Sequence, residues 1–299
     1  MEHLQSLFER QQRMLHAVPT ASERRDQLQG LWNAVLAHEG ALIEALAADL
    51  GKPREEVHLQ EIYPLKAEIM HARRHLRGWM APRPVDTGLA MLGTRSFVQA
   101  NPKGHVLIIS PWNFPVILTL RPLVSALAAG NRVIVKPSEH TPETSKVLAS
   151  IVSDALPEEH VAVFQGGPEV SAFLTSLPFQ HICFTGGTNI GKKVMKAAAD
   201  NLASVTLELG GKSPAVLDAT AHLADATRRM AWGKCLNNGQ VCIAPDYALV
   251  EKSICEPFIT AMKVRFAEMY GDDESTQLTS DQRSHIVNDH HFQRVVGLI

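Results

Sequence analysis

Apolar positions recur at helical intervals through the N-terminal part of the chain, where Leu28, Leu31, Trp32, Val35, Leu42, Ile43 and Leu46 mark one face. Thr20 and Glu23 have the spacing of a capping box and predict where that helix begins. Gly51-Lys52-Pro53 stops it, and a second amphipathic run continues to about Trp79. Pro82, Pro84 and Gly88 break the pattern, and a short β excursion is expected near 82–103, with its strand around Arg95–Ala100. From His105 the period changes. Apolar runs at 106–110, 133–136, 161–165 and 182–185 alternate with helical patterns at 115–130, 142–155 and 187–200, with a further short helix before the last strand. Continuous apolar strands between helices belong to a parallel sheet buried on both faces. Right-handed crossovers then predict a doubly wound α/β dinucleotide-binding domain behind a helical N-terminal segment.

A second region opens near Val205. It carries strands near 205–207, 215–217 and 247–250 and helices over 223–236 and 257–270. The expected division is 1–207 for the N-terminal helices and dinucleotide-binding domain, and 208–299 for part of an α/β catalytic domain. The stretch His291–Ile299 ends on apolar residues, which reads as an interrupted domain; a buried terminal element is the other reading.

Composition narrows the function classes. A chain of 299 residues holds one large or two ordinary domains. Its formal charge of −2 gives no global field for nucleic acid or acidic lipid. Apolar stretches are broken well short of a membrane span, and Met1-Glu2-His3-Leu4-Gln5 lacks the basic start of a secretory signal. The four cysteines have no paired spacing and fit a reducing compartment, so a cytoplasmic protein is expected.

One cysteine stands apart. Cys242 lies in Asn237-Asn238-Gly239-Gln240-Val241-Cys242-Ile243-Ala244-Pro245-Asp246, a turn-rich segment that suits an accessible thiol nucleophile. Cys183 lies in an expected buried strand, and Cys235 and Cys255 in helical patterns, where a free cysteine behaves as a small hydrophobe. Glu208 follows an apolar strand, and a carboxylate there is either a general base or half of a buried ion pair, with Lys212 nearby. Asn113, between Pro111-Trp112 and Phe114-Pro115, either donates to a developing oxyanion or caps the next helix. Gly186-Gly187-Thr188-Asn189-Ile190-Gly191 leads from a strand into a helix, a place for an anion or for a plain tight turn. Lys136-Pro137-Ser138-Glu139 ends a parallel strand, where ligands bind in open sheets, or is a solvated loop. His71 and His75, with Arg73 and Arg74 between them, read as a basic face, and neither they nor His290-His291 make a metal site.

In this order the motifs resemble the aldehyde dehydrogenase superfamily, and most closely its class 3 branch with the coniferyl aldehyde dehydrogenases. The segments that carry the likeness are Pro111–Pro115, Lys136–Glu139, Phe184–Thr188 with Gly191, Leu207–Lys212 and Gly239–Tyr247, and the N-terminal Asp49-Leu50-Gly51-Lys52 extends it. The resemblance implies that Cys242 attacks an aldehyde, that Asn113 and the Cys242 N–H hold the oxyanion, and that Glu208 activates water. It implies NAD, with NADP possible, bound through Trp112, Lys136, Glu139, Gly186, Gly187, Thr188, Asn189, Ile190, Gly191 and Leu209, with Lys136 and Glu139 at the adenosine ribose. The glycine-poor turn then replaces the usual GxGxxG fingerprint. The implied substrate is an apolar aldehyde, aromatic or aliphatic, and the implied full-length form a homodimer. Relatives continue well past this length, so the alternative is a truncated, non-catalytic protein that keeps dinucleotide binding or association only. Transfer of the thioester to coenzyme A is disfavoured by Glu208.

Overall fold

The computed structural model describes residues 2–273, 275 and 283–298. Ile299, the end of the expected apolar terminus, lies outside them.

The capping box forms as the spacing predicts. The Thr20 N–H donates to Glu23 Oε2 at 2.7 Å, and the Glu23 N–H returns to Thr20 Oγ1 at 3.3 Å. Behind it come α2 (Ala21–Ala37), α3 (Glu39–Leu50), the short α4 (Arg54–Val57), a π-helical turn (His58–Ile62) and α5 (Tyr63–Met80). Helix α1 (Glu2–Arg13) precedes them. Gly51 ends α3 in the left-handed conformation, at φ 60°, with the His285 ring packed where a Cβ would stand. The excursion is a hairpin of β1 (Arg83–Val85) and β2 (Ser96–Val98); β1 carries a proline at its centre and was not legible as a strand.

Five parallel strands form the main sheet in the order β5-β4-β3-β6-β7. They are β3 (His105–Ile109), β4 (Arg132–Lys136), β5 (Val161–Val163), β6 (His181–Gly186) and β7 (Ser204–Leu209). Helices α6 (Ile117–Ala129), α7 (Pro142–Ala155), α8 (Pro168–Ser176) and α9 (Thr188–Asp200) connect them. Leu28, Leu65, Leu120, Val124 and Leu148 pack with Val106, Ile108, Val133 and Val135 on one face. Leu4, Phe8, Leu174 and Val194 pack with Leu107, Ile109, Ile134, Ile182 and Phe184 on the other. The sheet is thus doubly wound, and the strand expected to open a second region, near Val205, is paired to β6 through Leu209.

Coverage is uneven. The face carrying Val106 and Ile108 continues in register through His181, Cys183 and Thr185 to Thr206 and Glu208. Helices α2, α5, α6 and α7 cover its β3–β5 half, and the β6–β7 half opens into a cleft. Beyond the sheet, β8 (Pro214–Leu217) pairs in parallel with β9 (Tyr247–Val250) beside α10 (Leu223–Cys235) and α11 (Cys255–Tyr270). Helix α12 (Asp289–Val296) carries Phe292, Val295 and Val296 on exposed positions, in line with the apolar ending read from sequence.

Helix α1 is fastened to the sheet by His105. Its ring stacks on Phe8 and meets Phe179 at a tilt, and its Nε2 lies 2.6 Å from Gln11 Oε1. Burial, with the Arg132 charge adding, pushes the imidazole pKa down to about 3. Below the ordinary value of 6.5 the unfolded chain takes up a proton here that the folded chain refuses until about pH 3. Stability therefore falls as pH drops through that window, and His160, held down to about 4, adds to the loss. Replacing His105 by glutamine, a neutral donor at every pH, should remove about 1.4 kcal/mol per pH unit from the slope of urea-unfolding stability between those limits. An unchanged slope would show that His105 is not the group that titrates.

Candidate active site

Two loops at the C-terminal ends of strands form the floor of the cleft. The strand order reverses between β3 and β6, and the segments after them carry Trp112-Asn113 and Gly186-Gly187. Such a reversal opens a crevice in a doubly wound sheet. The cleft, of about 1220 Å³, is lined by Trp112, Asn113, Gly186, Gly187, Glu208, Leu209 and Cys242 among others. These seven sequence candidates meet in one place although up to 130 positions apart in the chain (Trp112 to Cys242).

Cys242 is exposed in the turn after Val241, whereas Cys235 is buried and Cys183 and Cys255 are half-buried. Cys183 lies in β6 as the sequence predicts, half-buried against the core while also bordering the cleft. It faces the open half of the sheet, and burial together with the Glu208 carboxylate pushes its thiol up to about 11. Glu208 departs from expectation. It lies within β7, opposite Thr185, and is exposed to the cleft rather than buried, because among the described residues no helix packs over that face of β6 and β7. The ion pair with Lys212 does not form; Lys212 Nζ binds Asp246 Oδ2 at 2.8 Å instead.

Asn113 does not cap α6. Its Nδ2 donates to the carbonyl of Gln240 at 2.9 Å, which ties it to the segment leading to Cys242. The helix N-terminus is served by Glu61, whose Oε2 accepts the Ile117 N–H at 2.8 Å. Glu61 is fully buried and is paired there with Lys52, Nζ to Oε1 2.7 Å. Lys52 Nζ also donates to the Asn113 carbonyl at 3.2 Å and lies 4.4 Å from the centre of the Phe114 ring. A further amide, Asn237 Nδ2, donates to the same Asn113 carbonyl at 2.8 Å. Sequence reasoning passed over Lys52, Glu61 and Asn237. A signal for Glu61 existed: it falls four residues after Val57 and four before Leu65, on the apolar face of the helical run.

The remaining candidates lie at the edge of this assembly. Lys136, buried at the end of β4, pairs with Glu139 at 2.5 Å. Burial opposes ionisation of Glu139, but the Lys136 hydrogen bond and charge outweigh it and hold the carboxyl below its ordinary range. Neither residue lines the cleft. Thr188, Asn189 and Ile190 form the exposed first turn of α9, whose N-cap is Gly187 with no side-chain cap. Its leading N–H groups are therefore open to an anion, and a Cβ at Gly187 would meet nothing. Gly191 packs closely against Leu209, since a Cβ there would fall 2.8 Å from Cδ2 and the leucine side chain would have to shift. The uncapped turn, the glycine beside it and the Lys136–Glu139 pair at a strand end fit a dinucleotide with its phosphates on α9.

Among the described residues no group of three or more His, Cys, Asp or Glu side chains is placed to hold a metal. His75 Nδ1 lies 2.9 Å from the His71 carbonyl, and the two rings are 4.2 Å apart beside Trp79. No described helix is long and apolar enough to cross a membrane.

The profile of the aldehyde dehydrogenase family matches residues 9–299. A Caulobacter vibrioides protein described as "Probable coniferyl aldehyde dehydrogenase" is 41% identical over 94% of this chain and 58% of its own length. Aldehyde dehydrogenase family 3 member A2 of Pongo abelii is 40% identical over 92% of this chain and 56% of its own. The substrate-bound structure of Staphylococcus aureus AldH superposes with a TM-score of 0.94 at 38% identity, over 99% of this chain and 64% of that one. The complex of PnpE with nicotinamide adenine dinucleotide superposes at 0.85 and 25% identity, over 97% and 60% of the two chains. The chain thus spans about three fifths of the length of the relatives it matches.

Two outcomes follow from exposure and charge. Limited iodoacetamide should alkylate Cys242 ahead of Cys183 and Cys235, read by peptide mass spectrometry; equal labelling would contradict the difference in access. Lys52→Met strands the Glu61 carboxylate in the core and should cost about 3–5 kcal/mol in urea unfolding. Lys52→Met with Glu61→Gln removes both charges and should recover most of that loss.

Proposed function

The chain belongs to the aldehyde dehydrogenase family, and on that premise we propose that it oxidises an apolar aldehyde to the carboxylic acid with NAD as acceptor. The observation that carries the reading is the exposed Cys242 thiol in one cleft with Asn113 and Glu208 at the sheet's switch point. In this reading residues 1–207 bind the dinucleotide and 208–299 supply part of the catalytic domain, with Glu208 at the seam. The Cys242 sulfur adds to the aldehyde carbon and forms a thiohemiacetal. The Asn113 amide and the Cys242 N–H hold the oxyanion, where negative charge develops. The bound dinucleotide supplies a hydride acceptor. Glu208 takes a proton from water, which attacks the resulting thioester, releases the acid and frees Cys242. The exposure of Glu208 supports this role, since a base for water needs access to it.

The cofactor roles are assigned on chemistry. Glu139 accepts hydrogen bonds from ribose hydroxyls, and its negative charge disfavours a 2′-phosphate, so NAD is preferred over NADP. Lys136 holds that carboxylate in place. Trp112, Gly187 and Thr188 flank the pyrophosphate, with Gly186, Asn189, Ile190, Gly191 and Leu209 shaping the turn. An aromatic or aliphatic apolar aldehyde suits the apolar surface that Trp112, Leu118, Pro122 and Val241 give the cleft. Exposed Val85, Phe97 and Val98 on the β1–β2 hairpin support a homodimer as the assembled form.

NADH formation from a cinnamyl-type or long-chain aldehyde tests the reading directly. Cys242→Ala should abolish it while calorimetry still detects NAD binding. Glu208→Gln should slow turnover by about 10²–10⁴-fold and let acyl-enzyme accumulate, visible as added mass on Cys242. Turnover that survives in Cys242→Ala would remove the assigned nucleophile.

A further inference from the structure

Three consecutive residues before the cysteine loop adopt left-handed backbone: Asn237 at φ 48°, Asn238 at 51° and Gly239 at 75°. Outside glycine this region is disfavoured, least so for asparagine, and a run of three such residues persists only where its surroundings hold it. Here the holder is visible. Asn237 is fully buried, its N–H lies 3.3 Å from Glu56 Oε2, and its Nδ2 faces two carbonyl oxygens, Asn113 at 2.8 Å and Gln240 at 3.3 Å. The amide cannot be reversed, because Oδ1 would then oppose both carbonyls.

We propose that Asn237 is a positioning residue that clamps the Asn113 loop to the Cys242 loop and thereby aims the Asn113 amide at the reacting oxygen. The inference rests on the catalytic roles given above for Asn113 and Cys242. A primary amide has two N–H groups, and Asn113 commits one of them to the Gln240 carbonyl at 2.9 Å. That bond fixes the amide plane and leaves the second N–H for the cleft that Asn113 and Cys242 both line. Asn237 closes the ring from the other side, since its single nitrogen binds the Asn113 backbone and the Gln240 carbonyl together. Gln240 precedes Cys242 by two residues, so the same carbonyl ties down the backbone of the nucleophile. The clamp is backed by charge: Lys52 Nζ reaches the Asn113 carbonyl at 3.2 Å. It is also tied to the 283–287 segment, where Gln240 Nε2 donates to His285 O at 2.8 Å and Gln240 Oε1 accepts from the Val287 N–H at 3.1 Å.

The test compares two reactions of Cys242 that differ only in whether an oxyanion forms. With p-nitrophenyl acetate the thiolate attacks the ester carbonyl, an S–C bond forms and the C–O bond breaks. p-Nitrophenolate leaves with the electron pair, S-acetyl Cys242 remains, and neither cofactor nor oxidant is consumed. With iodoacetamide the thiolate displaces iodide at a saturated carbon, and no oxyanion arises. Asn113→Ala should slow acylation by about 10²-fold. Asn237→Gly, which accepts the left-handed backbone but lacks the amide, should slow acylation by about 10-fold or more and leave alkylation unchanged. The double variant should acylate no more slowly than Asn113→Ala, because Asn237 acts through Asn113.

The clamp is overturned if acylation and alkylation fall together in Asn237→Gly, if acylation does not fall, or if the losses multiply in the double variant. Should Asn237→Gly fail to fold by thermal melting, Asn237→Asp keeps the volume and sets an oxygen against both carbonyls, and the same readouts apply. An Asn113→Ala chain that acylates at the parental rate defeats the catalytic reading itself, and the clamp with it.

Discussion

The Lys52–Glu61 pair is the contact on which the site depends. Both side chains are fully buried, and two charges in that position are costly unless every donor and acceptor is used. Here one bond joins the pair and two more go to backbone, with the Phe114 ring beside the ammonium. Glu61 gives one oxygen to Lys52 and the other to the first N–H of α6, while Lys52 spends a second proton on the Asn113 carbonyl. A packed apolar pair would fill the same space with less desolvation, but it could not hold a loop carbonyl and a helix N-terminus in fixed register. The charge pair converts the N-terminal helices from a cover over the sheet into a support for the cleft.

A second constraint is the uneven covering of the sheet. Helices pack fully over β3, β4 and β5 on one face, and the same face is open across β6 and β7. Polar side chains follow that boundary. The buried half carries Val106, Ile108, Val133 and Val135, and the open half carries His181, Cys183, Thr185, Thr206 and Glu208. A carboxylate tolerable beside water would be prohibitive under a helix, so Glu208 belongs where the covering stops. The uncovered half and the switch point fall together, which brings a thiol, an amide and a carboxylate into one cleft.

Much of this was legible along the chain. The capping box at Thr20, the change of period at His105, and the apolar strands flanked by helices each depend on neighbours a few residues away, and periodicity reports such neighbours directly. Cys242 stood out for the same reason, because the turn that exposes it is written in the adjacent Asn237-Asn238-Gly239. Several of the readings that failed were about partners. Lys212 was near Glu208 in sequence yet binds Asp246, and Asn113 was near a helix start yet binds Gln240. The β1 strand was missed because its pairing lies with β2, ten or more residues on, and its proline argues locally against a strand.

By itself, then, the sequence determined the doubly wound α/β class and the family of the chain, since these follow from local period and from motif order, and it singled out side chains that the fold gathers in one cleft. Only the tertiary structure decided which polar atoms satisfy one another. Lys52 reaches Asn113 across 61 positions and Asn237 reaches it across 124, and no periodicity links residues so far apart. Hydrogen bonds require contact at about 3 Å, and that contact exists only once both hydrophobic faces of the sheet have been packed.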